Sequence, residues 1–332
     1  MCDKHDRRLK YGMDVVVAHH GYCFDGAASA ALFTRFVQET IPGAWTAHFE
    51  YRGLLYEPNA PSPAERLREG ALNAILDYRY TASPRLDWYF DHHVSAFQEA
   101  GSEAHFRADT SGRKFHDGTY GSCTKYLADI ARARFGWSAP DLDELVQWAD
   151  IIDAARFPNA DVASSFDDPA MAITAVIQEQ GDEHLTSQLI PLLGSRSLAE
   201  VAKHPEIVSR LGPIKARHAA FAERMAQVGE QVHNVAWFDL SESPVDTVAK
   251  FVGYKLFPTA MYSVVLSRSP KRVKVSVGFN PWAKKPRAHN IAQLCERYGG
   301  GGHPVVGAIS VAPHEMPRAK TIAREIIAAL NT

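Results

Sequence analysis

The sequence predicts an α/β protein, with a parallel-sheet N-terminal domain covered by helices on both faces and a smaller α/β C-terminal domain with a mixed sheet. In the first third of the chain, short apolar runs alternate with helical patterns, which is the rhythm of βαβ units. A length of 332 residues with 46% apolar residues is enough for two cores. Strand-like runs return from Val235 onward, beyond a charged helical stretch, and they predict the second domain.

Three strand-like runs carry the first domain, at residues 14–18, 74–76 and 86–90. Each run leads into histidine or aspartate, which are residue types that bind metals. In open α/β sheets the binding crevice lies outside the carboxyl ends of the strands. Three such endings can therefore converge on one site.

Helical patterns follow these strands, and the last of them is long and charged, with one apolar face. We interpret this last stretch as a connector between domains. The predicted organisation is a metal-binding domain over 1–190, a helical connector over 191–232 and a substrate-binding domain over 233–332.

Composition excludes several classes of protein. Charged residues make up 22% of the chain and the formal net charge is −2, so nothing global indicates a nucleic-acid binder or a disordered chain. The charged start lacks the apolar core of a signal peptide, and no run approaches the roughly 18 apolar residues of a membrane span. Four cysteines without a CxxC pair argue against a disulfide framework and a zinc ribbon. We expect a cytoplasmic protein that does not associate with membranes.

The turn after the first strand carries His19, His20, Cys23 and Asp25, and Ser29 follows in the first helical turn. Free N–H groups and the helix dipole favour an anion there, which makes Ser29 a candidate phosphate contact. His19, Cys23 and Asp25 are candidate ligands of one ion. A capped helix with an incidental histidine pair explains this segment equally well.

The two other strand endings supply Asp77 and the triplet Asp91-His92-His93. Asp77 by itself is most often a turn residue. Adjacent histidines at a strand end point to opposite sides, so one can bind metal while the other faces the substrate as a phosphate or proton donor. A solvated loop pair is the alternative interpretation of the triplet.

A helix near residues 141–156 offers two acids, Asp150 and Asp153. Asp153 lies four residues beyond Ala149 on the apolar face, whereas Asp150 falls toward the polar side. A carboxylate that points inward needs a partner, and a metal ion or an arginine can be that partner. Helical phase therefore favours Asp153 as the ligand.

Residues 299–303 read GGGGH, between a helix and a strand. Four glycines can form a nest of backbone N–H groups that holds an oxyanion, whereas a helix C-cap needs one glycine. Gly300, Gly301, Gly302 and His303 are therefore candidate substrate contacts.

Taken in order, His19-x3-Cys23-x-Asp25-Gly26, Asp77, Asp91-His92-His93, Asp153 and GGGGH resemble the motifs of the DHH phosphoesterases over nearly the whole chain. The glycine-histidine motif resembles the C-terminal DHH-associated substrate domain. The subfamily with this domain includes single-strand exonucleases, nanoRNA hydrolases that also remove phosphate from adenosine bisphosphate, and cyclic-dinucleotide phosphodiesterases.

The resemblance implies two Mn²⁺ or Mg²⁺ ions, and it places His93 and Asp91 at the catalytic centre. It implies that one ion is held by His19, Cys23 and Asp77. It implies that the other is held by Asp25, Asp77, His92 and Asp153. Many relatives carry aspartate where this chain has Cys23, and a thiolate is a poor ligand for hard ions. A single ion, and His20 in place of His19, remain open alternatives.

The leading hypothesis is a hydrolase that cleaves phosphoester bonds in short oligonucleotides or small nucleotides with a metal-activated water. Basic residues of the C-terminal domain surround Phe279 and Trp282, and Arg268 and Asn280 are candidate substrate contacts. An ordinary basic surface with two core aromatics is equally compatible with this pattern.

Two alternatives remain. One is a catalytically weak nucleotide-binding or regulatory protein with one metal site impaired by Cys23. The other is an exopolyphosphatase-like hydrolase, which the glycine-histidine domain disfavours. The expected partner is a phosphorylated small molecule or a short single-stranded oligonucleotide, and a homodimer is an open possibility.

Overall fold

The structure, a computed structural model, describes residues 12–56, 60–244 and 251–332. The chain divides into two compact units. The first runs to Arg156 and includes Phe166–Gly212, and the second consists of Phe157–Ser165 and Pro213–Thr332. The sequence predicted a separate connector over 191–232, whereas this division falls inside that stretch. Residues 1–11 of the predicted first domain lie outside the described residues.

The first unit alternates strands and helices in its N-terminal part and is helical thereafter. Its strands are β1 (Asp14–His20), β2 (His48–Leu54), β3 (Leu72–Leu76), β4 (Trp88–Asp91) and β5 (Lys114–His116). Its helices are α1 (Phe24–Thr40), α2 (Ser102–Arg107), α3 (Cys123–Phe135), α4 (Asp143–Asp153), α6 (Pro169–Gln180), α7 (Glu183–Leu193) and α8 (Leu198–Val201). The short helix α5 (Ala160–Ala163) belongs to the second unit, and α9 (Pro205–Val228) crosses the division.

The five strands of the first unit form one sheet in the order β2-β1-β3-β4-β5, and every neighbouring pair is parallel. All residues of β3 and β4 are buried, as expected for a parallel sheet covered on both faces. Helix α1 follows β1 and buries a stripe that contains Phe33, Phe36 and several alanines. The predicted parallel sheet is confirmed.

The second unit contains a six-stranded mixed sheet in the order β10-β11-β9-β8-β7-β6. Its strands are β6 (Gly229–Val232), β7 (Val235–Asp239), β8 (Tyr262–Arg268), β9 (Val273–Phe279), β10 (Gly301–His303) and β11 (Val306–Val311). Only the β7–β8 pair is parallel. The helices α11 (Ile291–Glu296) and α12 (Met316–Leu330) pack their apolar residues against it, and α10 (Val252–Leu256) completes the unit.

Four strands have no counterpart among the predicted runs. Strands β2, β5 and β6 carry polar or half-buried residues, and β10 lies within the glycine run. All four occupy outer positions of their sheets, where one edge of the strand has no neighbour. Among the described residues, no helix is both long and apolar enough to span a bilayer.

Candidate metal centre

The candidate metal centre lies at the carboxyl ends of β1, β3 and β4. The strand order reverses between β1 and β3, and open α/β sheets bind their ligands at such a switch point. β1 ends at His20, Asp77 directly follows β3, and β4 ends at Asp91. The predicted convergence of three strand ends is present in this fold.

Asp77 occupies the middle of this cluster. It is buried, its backbone is left-handed with a φ of 58°, and its N–H donates to the carbonyl of Phe90 at 2.9 Å. Left-handed backbone is uncommon for a residue other than glycine, and such strain concentrates at functional sites. Neither carboxylate oxygen has a hydrogen-bond partner. A buried carboxylate without hydrogen-bond partners is energetically unfavourable, so a bound cation is the simplest partner for it.

Buried polar atoms without a hydrogen-bond partner concentrate around Asp77. In the described part of the chain there are eleven such side-chain atoms, and five of them belong to four residues at these strand ends. They are His19 Nε2, His20 Nδ1, His92 Nε2 and both carboxylate oxygens of Asp77. Buried polar groups are almost always satisfied, so this concentration is what a ligand-binding site would show.

His92 is oriented for metal binding. Its Nδ1 donates to the carbonyl of Tyr120 at 3.1 Å, and because a carbonyl only accepts, the neutral ring carries its lone pair on Nε2. This Nε2 lies 3.3 Å from a carboxylate oxygen of Asp77, 3.3 Å from one of Asp153 and 3.8 Å from one of Asp25. A backbone carbonyl behind a ligating imidazole is the usual arrangement in metal sites.

The carboxylate of Asp25 is held in place by hydrogen bonds from the start of helix α3. Its carboxylate accepts from the backbone N–H of Cys123 at 2.6 Å and from the N–H and hydroxyl of Thr124 at 3.0 and 2.6 Å. These donors begin helix α3, whose dipole favours a negative charge there. Asp25 is therefore held in one position while it faces Asp77.

Of the two acids of α4, the one that helical phase favoured lies near the cluster, although it is not the more buried of the two. Asp153 reaches the cluster with a side chain that is 28% accessible, whereas Asp150 pairs with Arg156 at 2.9 Å. Ligand atoms of Asp25, Asp77 and His92 lie within 4.8 Å of one another. Carboxylate oxygens with one imidazole suit Mn²⁺ or Mg²⁺, so these residues fit a divalent ion.

A second group of three residues lies on the other side of Asp77. Ligand atoms of His20, Asp77 and His93 are also within 4.8 Å of one another, and His20 Nδ1 lies 3.4 Å from Asp77. His19 is buried, with Nδ1 donating to the carbonyl of His20 at 3.0 Å and Nε2 unpartnered. Both histidines thus present a nitrogen that could bind an ion, and Cys23 belongs to neither compact group.

His93 and Asp91 form a hydrogen-bonded pair. His93 Nδ1 donates to the Asp91 carboxylate at 2.7 Å, and the Tyr89 hydroxyl donates to the other Asp91 oxygen at 3.1 Å. Asp91 is fully buried, whereas the His93 side chain is 29% accessible. The two histidines do not point to opposite sides, because His92 and His93 follow the end of β4 and both approach Asp77.

The close charges shift the pKa values of the cluster. Burial and the carboxylates of Asp77 and Asp153 raise the pKa of Asp25 well above its usual range. Burial and Asp77 raise the pKa of Asp153 to about 6. Burial opposes the charged form of His92, but three carboxylates outweigh it and raise its pKa to about 10. Mutual repulsion of this kind is what a bound cation relieves.

Burial keeps His19 and Cys23 uncharged at physiological pH. Burial lowers the pKa of His19 to about 4, so this imidazole is neutral at physiological pH. Burial, followed by the charge of Asp77, raises the pKa of the Cys23 thiol well above its usual range. Cys23 therefore presents a thiol rather than a thiolate, which weakens it further as a ligand.

Two predicted substrate contacts are wrong. Ser29 is fully buried, and its hydroxyl donates to the carbonyl of Gly26 at 3.0 Å inside helix α1. Asn280 is buried and uses both polar ends within its own unit, donating to Ala260 and accepting from Trp282. Neither side chain is free to bind a phosphate. Position in the sequence suggested exposure in both cases, and tertiary packing overrides it.

The other residues predicted on the substrate domain have mixed placements. Arg268 is half-buried and donates to the carbonyl of Glu242 at 2.8 Å. The Trp282 indole donates to the carbonyl of Phe157, and Phe279 packs against the sheet core. Both rings are only partly buried, but each is engaged by contacts within the second unit, which favours the core alternative.

The glycine run does not form a nest. Gly299 and Gly300 donate their N–H groups to carbonyls of helix α11, and Gly301 to His303 form the outer strand β10. A side chain at Gly300 or Gly302 would lie within 2.3 Å of a carbonyl oxygen of β11. Gly301 differs, because no described atom lies within 4 Å of where its Cβ would be. Gly301 and the exposed His303 therefore keep an open face.

No protein-family model and no curated protein sequence matches the chain. Among solved structures, a pGpG-specific phosphodiesterase from Vibrio cholerae is similar, with a TM-score of 0.67, 18% identity and coverage of 96% of this chain and 99% of that one. A manganese-bound RecJ exonuclease is similar with a TM-score of 0.53, 14% identity and coverage of 97% and 92%. RecJ from Thermus thermophilus with Mg²⁺ has a TM-score of 0.50, 14% identity and coverage of 98% and 51%.

These similarities extend over both units and include a solved DHH domain protein, at a TM-score of 0.51 and 13% identity. The parallel sheet, the second mixed sheet and the ordered motifs agree with them. The chain therefore has the two-domain fold of the DHH phosphoesterases.

Proposed function

We propose that this protein is a metal-dependent phosphodiesterase that hydrolyses short linear oligonucleotides. The observation that carries the proposal is the group of five unpartnered buried atoms around Asp77, beside the accessible His93. The similar Vibrio protein is a pGpG-specific phosphodiesterase and RecJ is an exonuclease. These two activities support a phosphodiester substrate.

Asp25, Asp77, His92 and Asp153 would hold a divalent ion. When bound, such an ion lowers the pKa of a water molecule and neutralises charge on the phosphate. The protein holds the carboxylates in place through the start of α3 and through the Tyr120 carbonyl behind His92. This outer support keeps the cluster ready for a cation.

His93 would donate the proton to the leaving group. Burial disfavours its charged form, but the hydrogen bond to Asp91 outweighs this and raises the pKa of His93. In the hydrolysis, the attacking water gives one proton to solvent as its oxygen bonds to phosphorus, the bond from phosphorus to the leaving oxygen breaks, and that oxygen takes a proton from His93, which regains one from solvent. Asp91 orients the ring and stabilises its positive charge.

The test is hydrolysis in the presence of Mn²⁺. We would incubate the full chain with a linear diguanylate, a cyclic dinucleotide and adenosine bisphosphate, with EDTA and the Asp77→Asn variant as controls. The expected result is cleavage of the linear dinucleotide to mononucleotides, abolished in both controls. No turnover of any of the three substrates would overturn the proposal.

A second candidate function is a nucleotide-binding protein with one ion and slow hydrolysis. It is favoured by Cys23, which belongs to neither compact ligand group. Metal analysis of the wild type and of Cys23→Asp separates the candidates, with Cys23→Ser as the uncharged control. One ion in the wild type, and a second ion with higher activity only in Cys23→Asp, would support the second candidate.

A further inference from the structure

A cavity of about 330 Å³ adjoins the metal cluster on the first unit. Its described lining includes Tyr22, Leu54, Leu55, Pro61, Arg66 and Glu183. Its volume is at the lower end of the range of about 300–1,000 Å³ for small-molecule sites, which suits one nucleoside-sized group. None of these residues belongs to the metal cluster.

One wall of the cavity is an aromatic ring beside the ligand histidines. Tyr22 lies two residues after His20, has a left-handed backbone with a φ of 54°, and is 45% exposed. The turn is held by the N–H of Gly21, which donates to the carbonyl of Leu54 at 2.8 Å. An added side chain at Gly21 would lie 2.8 Å from Leu55, so the two segments must approach closely here. Tyr22 is therefore presented to the cavity by a constrained turn.

The cavity also has polar lining residues. Glu183 Oε2 accepts from the N–H of Gly53 at 3.1 Å and pairs with the guanidinium of Arg66. Arg66 also donates to the carbonyl of Gly53, while its Nε is buried without a partner among the described residues. Asp182, which also lines the cavity, accepts with Oδ1 from the N–H of Leu185 at 2.7 Å.

These contacts leave a specific pattern of hydrogen-bonding atoms. The described residues make no hydrogen bond to Asp182 Oδ2 or Glu183 Oε1, so the residues that line the cavity include two carboxylates with a free acceptor atom and one guanidinium. The Watson–Crick edge of guanine presents two adjacent donors, N1–H and the exocyclic amine, beside the O6 acceptor. Adenine offers one donor and one acceptor on that edge. These polar residues thus complement guanine better than adenine.

We propose that this cavity binds a guanine base of the substrate, stacked on Tyr22 and hydrogen-bonded by Glu183, Asp182 and Arg66. A base stacked on a tyrosine ring, with polar groups at its edge, is a common mode of single-strand recognition. The inference takes one point from the proposed function, which is that the substrate phosphate lies at the neighbouring metal cluster.

The first experiment measures base binding without hydrolysis. Guanosine and adenosine are titrated by calorimetry into the full chain in EDTA. The expected result is binding of guanosine that is at least about tenfold tighter than that of adenosine. Equal affinities, or no binding of either nucleoside, would overturn the proposal.

Variants locate the site. Glu183→Gln should remove the guanosine preference, and Tyr22→Leu should weaken both nucleosides. The matched control is Glu103→Gln, which alters an exposed carboxylate paired with Arg107 on the same unit. Tyr22→Trp adds an optical test that keeps an aromatic ring, because guanosine should quench the indole fluorescence. Wild-type binding in Glu183→Gln and Tyr22→Leu, or an unquenched Tyr22→Trp, would contradict the assignment.

Hydrolysis is assayed separately with linear diguanylate and diadenylate in Mn²⁺. If guanosine binds but neither dinucleotide is cleaved, the proposed function fails and the guanine site stands. If both dinucleotides are cleaved at equal rates and guanosine shows no preference, the guanine site fails and the proposed function stands.

Discussion

The Nε2 atom of His92 lies 3.3 Å from a carboxylate oxygen of Asp77, and neither atom has a hydrogen-bond partner. The opposite nitrogen of His92 is held by the carbonyl of Tyr120, so the ring cannot turn away without losing that bond. Without an ion, the surrounding carboxylates favour the protonated ring, because they raise the pKa of His92 to about 10. A cation between these atoms would take the place of that proton and use the lone pairs of both atoms.

Two acids on helix α4 offer a matched test of this centre. Asp153→Asn should weaken Mn²⁺ binding by more than the roughly 10- to 100-fold that loss of an outer-shell partner costs. Asp150→Asn is the control, since Asp150 pairs with Arg156 outside the cluster. Calorimetric titration of Mn²⁺ into each variant measures the difference. Equal losses in the two variants would mean that Asp153 is not a ligand.

The ion should stabilise the fold more at high pH than at low pH. The pKa of Asp153 is raised from 3.8 to about 6, so between these values the metal-free fold binds more protons than the unfolded chain. The free energy of unfolding therefore falls as pH rises through this window. The raised pKa of His92 acts in the same direction between 6.5 and about 10.

Because Mn²⁺ binds the deprotonated carboxylates, its effect on Tm should be larger at pH 8 than at pH 5. At a concentration of 100 times its Kd, a ligand adds about 2.7 kcal/mol to the free energy of unfolding. Thermal melts with Mn²⁺ and with EDTA at both pH values measure this, with Asp77→Asn as the control that should not respond. A Tm shift that is independent of pH would contradict the prediction.

His93 should act on the chemical step rather than on the ion. His93→Gln is expected to lower kcat by about 10²- to 10⁴-fold, the usual contribution of a general acid, with unchanged Mn²⁺ stoichiometry. His105→Gln is a control on the same unit, where the imidazole bonds to the Tyr80 hydroxyl. Loss of an ion in His93→Gln would instead assign His93 to the ligand group with His20 and Asp77.

The periodicity of the sequence was sufficient to predict a residue's position where that position depends on a single helix or strand. The choice between Asp150 and Asp153 depends only on the phase of a single helix, and the structure brings Asp153 to the cluster, although its side chain is more accessible than that of Asp150 (28% against 21%). The strand ends at His20, Asp77 and Asp91 also follow from short apolar runs in a parallel sheet. These features need no knowledge of distant contacts.

Contacts between segments that are distant in the sequence could not be predicted from local sequence patterns. Ser29 is buried because neighbouring helices cover α1, and Gly300 and Gly302 are explained by the approach of β11. The Tyr120 carbonyl that orients His92 lies 28 residues away along the chain. Because every residue has a backbone carbonyl, the identity of residue 120 does not reveal this contact. The presence of His20 in a ligand group also depends on the turn geometry around Tyr22.

The glycine run gives the last test, because two adjacent glycines have opposite surroundings. Gly302→Ala would place a Cβ 2.2 Å from the carbonyl oxygen of Val306 at a φ of 152°, so it should lower the free energy of unfolding by more than about 1 kcal/mol. Gly301→Ala meets no described atom and should change that free energy by less than about 0.5 kcal/mol.

Urea unfolding of both variants measures these values. If the open face of β10 contacts substrate, Gly301→Ala should also raise KM for the linear dinucleotide while the fold stays intact. A destabilised Gly301→Ala would show that this glycine serves folding, like its neighbours, and not ligand approach. An unchanged KM in a stable Gly301→Ala would remove Gly301 from the substrate site, because a methyl group on a contacting face must displace the substrate.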